Sequence, residues 1–262
     1  MTATLLGAMV GLGLIGGFLA GLLGFGGGVL MFPLLYYVPQ LFGLPRLDAQ
    51  TAAAVVVSQV FFSSLIGGAA HWRRGQVNRK LAVVAGSVSA IGSLAGGIAS
   101  KWASERFLLL LFGIVTIAVL LMMFMPAPQS GHGEDRIEDL SLTTLPLACC
   151  SGLIGVVIGF LGAGNFVFVP LLIYVFKVPT RAAIGSTLFI ALINSTTGFM
   201  GKFVTGQIPT LALLVILGAA LGAVAGEKAS HRLSTQTLRI VYAGMVLIVT
   251  IRIWLTITGI VA

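Results

Sequence analysis

Two glycine clusters carry the chemistry this sequence can offer. The first lies in Gly21 to Val38, GLLGFGGGVLMFPLLYYV, where Gly24, Gly26, Gly27 and Gly28 interrupt an apolar run. The second lies in Gly159 to Val175, GFLGAGNFVFVPLLIYV, with Gly162, Gly164 and Asn165 at the corresponding place. Gly costs about 1 kcal/mol relative to Ala in a helix interior and Pro about 3 kcal/mol. Each cluster, followed by Pro33 or Pro170, therefore predicts a break between two short helices. At a break, backbone N–H groups lack intrahelical partners, and a helix N-terminus carries about half a positive charge. The starts predicted at Gly28 and Asn165 could thus hold an anion without a full cationic side chain, and Asn165 adds an amide where the first copy has glycine.

After each break comes a span with neutral hydrogen-bonding side chains: Ser58, Gln59, Ser63 and Ser64 after the first, Thr187, Asn194, Ser195 and Thr196 after the second. In the register of the two copies Ser63 aligns with Asn194 and Ser64 with Ser195. A lone Ser or Thr in an apolar helix commonly bonds its own helix or a neighbour. Symmetric pairs beside two breaks make a stronger case, so Gln59, Ser63, Ser64, Thr187, Asn194 and Ser195 join the glycines and Asn165 as candidate substrate contacts. His71 and Lys202 occupy related positions at span ends. The bland expectation is that both face lipid headgroups; the sharper one is a proton- or anion-attracting group at a pathway mouth. No Asp or Glu falls within a predicted span, so the carboxylate relay of proton-coupled pumps is missing. A site of backbone N–H, hydroxyl and amide groups favours an anion over a cation.

Other chemistries fail in context. Gly24-x-Gly26 follows an apolar helix rather than a strand, and no Lys-Ser/Thr completes a P-loop. No His/Cys/Asp/Glu cluster has metal-ligand spacing, and histidines at span ends are poor bases for a nucleophile, so neither an enzyme nor a cofactor is expected. Cys149 and Cys150 are adjacent in an apolar segment and are expected to be small core residues. Asn194-Ser195-Thr196 is formally a glycosylation sequon, but it lies within a span.

The elements that position these groups are membrane spans. Hydrophobic residues make up 58% of the chain and charged residues 8%, with a mean hydropathy of +1.09, against about 25% charged in an ordinary soluble domain. Charge-free runs cover Met1 to Pro45, Ala49 to Trp72, Leu81 to Ser100 and Phe107 to Gly133, each long enough for the ~20 residues that cross a bilayer. The net charge of +8 is scattered between these runs, which fits membrane topology and not nucleic acid. No Lys or Arg precedes the first apolar run, so a cleaved signal peptide is not expected. Residues 126–144, polar and holding Pro126, Pro128 and four of the seven acids, are expected to be a solvated linker. The halves on either side, 1–125 and 145–262, repeat each other: Gly75-Gln76-Val77 returns as Gly206-Gln207-Ile208, and the small-residue stripe Gly92, Gly96 returns as Gly222, Gly226.

If each broken segment is one crossing, the halves are parallel; if each is a hairpin, they are inverted. With hairpins and the N-terminus outside, the inner face receives ten basic residues, including Arg73, Arg74, Arg79 and Lys80, and the outer face four: Arg46, Lys101, Arg106 and Lys202. The single-crossing arrangement with an inside N-terminus gives six inside and eight outside. The positive-inside rule favours hairpins. The expected fold is an all-α polytopic membrane protein of two inverted repeats, each a broken-helix hairpin plus three transmembrane helices, with both termini outside.

The motif G-x-x-G-x-G-G-G-x-x-x-x-P from Gly21 to Pro33, its weaker copy from Gly159 to Pro170, and the segment His71 to Val77 together resemble the TauE/SafE sulfite-exporter family of bacterial membrane proteins. The resemblance covers essentially the whole chain. It implies transport of small sulfur-containing anions such as sulfite or organosulfonates, outward across the inner membrane. The alternative is a structural or regulatory membrane subunit whose glycines serve only helix packing.

Overall fold

The structure is a computed structural model that describes residues 3–23, 28–41, 47–73, 77–124, 144–210, 212–230 and 232–259. Every regular element among these residues is helical. Helix α1 (Ala3–Leu23) is followed by α2 (Gly28–Leu41), α3 (Ala49–Arg73), α4 (Arg79–Ala99) and α5 (Glu105–Met123). The second half holds α6 (Thr144–Leu161), α7 (Phe168–Pro170), α8 (Thr180–Val204), α9 (Ala212–Ser230) and α10 (Thr235–Ile257). Among the described residues, four segments are long and apolar enough to cross a membrane: Arg79–Trp102, Glu105–Met123, Ala182–Val204 and Gln236–Ile257. Shorter apolar helices include Leu6–Leu22, Ala49–Leu65, Leu145–Leu161 and Ala212–Gly226. The expected linker lies almost entirely outside the described residues.

Local chemistry sets the helix starts. The side chains of Asn78, Ser104 and Ser234 accept from Leu81 N, Phe107 N and Thr237 N, as N-caps do. The two halves treat Pro differently. Pro33 and Pro39 sit inside α2, whereas Pro170 ends the single turn of α7, which begins as a 3-10 turn (Asn165–Val167) and leaves as a π turn (Leu171–Val175). Such irregular backbone is tolerated at membrane depth only where protein satisfies it. Here Tyr242 Oη, from α10, donates to the Phe166 carbonyl at 2.6 Å.

Glycines decide which helices touch. On α9, a Cβ added at Gly218, Gly222 or Gly226 would meet the carbonyl oxygens of Val10, Leu14 and Phe18 on α1 at 2.1, 2.2 and 1.9 Å. A Cβ at Gly155 of α6 would meet Ser89 O of α4 at 2.2 Å, and one at Gly159 would meet Ser93 O at 2.4 Å. In both pairs the contacts advance in step along the two chains, so α1 and α9 run in the same sense, as do α4 and α6. Helices α4 and α8 also run in the same sense: Gly86 lies against Ile193, Thr197 Oγ1 donates to Ala90 O at 2.8 Å, and Gly201 backs onto Leu94 O. Since α6 and α8 both follow α4, the chain between them must turn back on itself around Gly162.

The outer faces are apolar, and the polar side chains of the spans are gathered inside, among an apolar core. Val83, Ile91 and Leu94 on α4 and Ile240, Leu247, Ile248 and Ile251 on α10 are exposed, whereas Ser89, Ser93, Ser100, Asn165, Thr187 and Asn194 are buried. The expectation that both cysteines are core residues needs correction. Cys149 is exposed and Cys150 half-buried, because Cys149 falls on the outward stripe of α6 at i, i+4 spacing with Leu145 and Leu153, which are 75% and 72% exposed.

Candidate functional site

The second break is built by close backbone approach. Gly162 has φ +66°, and a Cβ there would lie 2.1 Å from the Ala53 carbonyl oxygen of α3. Only glycine fits a left-handed turn pressed against another helix. Gly164 packs on Ile158 of α6. Gly28, at the start of α2, meets the same place from the other half: a Cβ on it would come within 2.9 Å of Ala163 Cβ and 3.3 Å of Val56 Cγ1. The two breaks therefore touch, with α3 beside them. Gly24, Gly26 and Gly27 lie outside the described residues.

Around this junction the buried polar groups sort into two kinds. Ser58 and Thr196 donate to carbonyls one turn back on their own helices, at 2.8 and 2.6 Å, and Ser195 does the same to Ala191 O. Ser63 accepts from Gln59 Nε2 at 3.2 Å. The bland expectation holds for these groups. Others face the interior with capacity to spare. Asn194 Nδ2 donates to Asn165 Oδ1 at 2.9 Å, and Ser89 Oγ lies 3.4 Å from the same nitrogen. Two facing amides satisfy one donor–acceptor pair and leave one donor and one acceptor open: among the described residues Asn165 Nδ2 and Asn194 Oδ1 have no partner, nor do Ser64 Oγ, Thr187 Oγ1 and Ser93 Oγ. Buried polar groups are normally paired, and in hydrocarbon each unsatisfied one costs several kcal/mol. Ser63 and Ser64 on the one side and Asn194 and Ser195 on the other are thus not chemically equivalent pairs.

Lys202 departs from the expectation of a headgroup anchor. It is 0% exposed. Its Nζ donates to Ser100 Oγ at 2.6 Å, and Phe160 O and Gln207 Oε1 lie at 3.4 and 3.5 Å. Gln207 is held in turn by Gly97 O and Thr205 Oγ1. All three partners of the ammonium are neutral, and Phe160 belongs to the last turn of α6, next to the break. The C-terminal end of α8, with Lys202 in its last turn, packs into protein against α4 and α6 because Gly97, Gly159 and Gly201 let the three backbones close up. His71 lies in the last turn of α3, and its side chain is not among those described. Glu105 opens α5 and Glu227 occupies the last turn of α9, so two acids do lie within helices, each at an end.

Sequence reasoning missed the contribution of α4. Ser89, Ser93 and Ser100 line its buried face and meet Asn194, Gly198 and Lys202 of α8. The signal was present as Ser89-x-x-x-Ser93 beside Gly92 and Gly96, a stripe that reads as packing alone. What the assembled residues can do is bind: they offer hydroxyl and amide groups and one ammonium, and among the described residues no group of three or more His, Cys, Asp or Glu could hold a metal ion.

Residues 9–253 match the family model described as "Sulfite exporter TauE/SafE". A probable membrane transporter protein of Xylella fastidiosa (strain 9a5c) is 32% identical over 244 residues, covering 90% of this chain and 89% of the relative. The probable membrane transporter protein YunE of Bacillus subtilis is 27% identical over 88% of this chain and 90% of its own length. A probable membrane transporter protein of Methanocaldococcus jannaschii is 25% identical over 92% of each. No solved structure matches the chain.

Proposed function

The chain belongs to the TauE/SafE sulfite exporter family of membrane transporters, and from that premise we propose that it carries small sulfur-containing anions, such as sulfite or organosulfonates, outward across the inner membrane. The substrate binds where the two glycine-rich breaks meet and is exposed alternately to each side. The single observation that carries this assignment is the Asn165–Asn194 amide pair: a buried donor left open at the junction of the halves, with further unpartnered hydroxyls on the same helix at Thr187 and on α4 at Ser93. A small oxyanion accepts from such groups, and an anion bound by neutral donors needs no resident acid or metal.

Alternation needs two halves that can rock against one another, and inverted repeats supply that geometry. Support comes from the helix senses. Helices α6 and α8 follow the same direction with the broken segment between them, as a hairpin requires. Tyr37 Oη, near the end of α2, donates to Thr256 Oγ1 near the end of α10 at 2.7 Å, and Arg252 lies 4.7 Å from the Tyr37 ring centroid. The contact between the end of α2 and the end of α10 supports the hairpin reading, in which both ends lie on one face.

The test is flux of sulfite and an organosulfonate through the purified protein in liposomes. The native chain is expected to pass both, Asn194→Ala to lose at least tenfold, and a bulky replacement of Gly164 to lose all flux, with each variant still inserted. Equal flux in all three proteins would remove the site.

A further inference from the structure

We propose that Lys202 is the internal counter-charge for the transported anion, and that it makes the site selective for singly over doubly charged anions; this rests on the anion-carrying function proposed above. Asn194, Gly198 and Lys202 stand at i, i+4 and i+8, on one face of α8, about 12 Å from end to end. Asn194 reaches Asn165 just after the second break, and Lys202 reaches Phe160 just before it. The break is bracketed by an amide on one side and an ammonium on the other.

Among the described residues the ammonium meets neutral groups alone. Lys202 is fully buried, and none of its three partners carries a charge. Only the Ser100 contact is short; Phe160 O and Gln207 Oε1 stand at 3.4 and 3.5 Å. A cation taken out of water is costly unless an opposite charge accompanies it, and an ionisable group within a span marks a pathway more often than a fold. Three donors with two loose acceptors can turn to an anion arriving at the break without breaking a salt bridge. The amides and hydroxyls around Asn165 and Asn194 add hydrogen bonds but no charge. One buried positive charge plus a monoanion is neutral, whereas a dianion leaves one negative charge uncompensated at low dielectric. The charge count, and not the size of the oxyanion, then sets preference.

The experiment compares methanesulfonate with sulfate, similar in size and different in charge, in liposomes holding the full-length protein, Lys202→Gln or Lys202→Arg. The native protein is expected to favour methanesulfonate at least 20-fold. Its methanesulfonate exchange should ignore an imposed membrane potential, because the loaded site is neutral. Lys202→Gln is expected to lose at least tenfold in methanesulfonate flux and to make the remaining exchange potential-sensitive, while Lys202→Arg keeps most flux and the insensitivity. Equal handling of the two anions by the native protein overturns the proposal, whatever the variants do, and so does a folded Lys202→Gln with native flux and selectivity. If the native protein neither moves nor is thermally stabilised by any anion, the transport function itself falls and this inference with it.

Discussion

Gly162 and Gly206 both have positive φ, +66° and +72°, but only Gly162 has neighbours where a side chain would go. A left-handed backbone costs a non-glycine residue about 1–2 kcal/mol, and at Gly206, with nothing within 4 Å of the added Cβ, that is the whole penalty. At Gly162 the Cβ also runs into the backbone of Ala53 and Val57, which adds overpacking of about 1–3 kcal/mol and pushes α3 away from the break. Gly162→Ala should therefore lower the midpoint of thermal unfolding in detergent at least twice as far as Gly206→Ala, and should reduce anion flux, which Gly206→Ala leaves near native. Equal shifts for the two would mean that contact with α3 does not matter at the break. The same physics explains why residue types alone could not rank the candidate ligands. Ser195 and Asn194 are neighbours in the same polar run, yet the first turns back to Ala191 O and the second reaches Asn165; a hydroxyl can satisfy itself on its own helix, and a terminal amide, with two donors and an acceptor, cannot.

Helix boundaries and the small-residue stripes were legible in the sequence, because glycine and proline act locally and charge-free runs have a length. The starts predicted at Gly28 and Asn165 are those of α2, Gly28–Leu41, and of the irregular segment Asn165–Val175. Which helix each stripe would meet was not legible, since small-xxx-small spacing says that a backbone can come close and not whose it is. The stripe on α9 receives α1 from the other half, and the stripe on α6 receives α4. For that reason Ser89, Ser93 and Ser100 could not be placed at the site until α4 was placed against α8, and Lys202, at the end of a span by sequence, could not be seen to lie beneath α6. At this scale the cost of separation can be measured. A Cβ on Gly222 would stand 2.2 Å from Leu14 O, a backbone atom that cannot swing aside, whereas one on Gly244 meets nothing within 4 Å. Gly222→Leu is expected to destabilise by about 3 kcal/mol or more, the upper part of the overpacking range, and to be recovered in low yield. Gly244→Leu should unfold within a few degrees of the native protein. Similar melting curves for the two variants would show that the α1–α9 contact is not a stabilising one.

At the scale of the whole molecule, the relation of the halves in the bilayer is tested on the faces of the second half. Hairpin and single-crossing arrangements place Lys80 inside and Lys101 outside alike; they part company only after the linker. With inverted repeats Lys177 and Arg232 face the inside, and with parallel repeats both face the outside. Both side chains are exposed, so cysteines put in their place would react on whichever side they stand. Two independent arguments point to inversion. The basic residues give their largest inner excess, ten against four, when the broken segments are hairpins. The common sense of α4, α6 and α8 also requires the chain to double back at Gly162, whatever the charges. In a chain whose Cys149 and Cys150 are replaced by serine, single cysteines at 80, 101, 177 and 232 can be challenged in intact cells with a membrane-impermeant maleimide. The cysteine at 101 is expected to be labelled at once, and those at 80, 177 and 232 only after the membrane is opened. Immediate labelling at 177 and 232 would make the halves parallel. The two breaks would then approach the site from the same side, and a rocking of one repeat against its inverted copy could no longer account for alternating access.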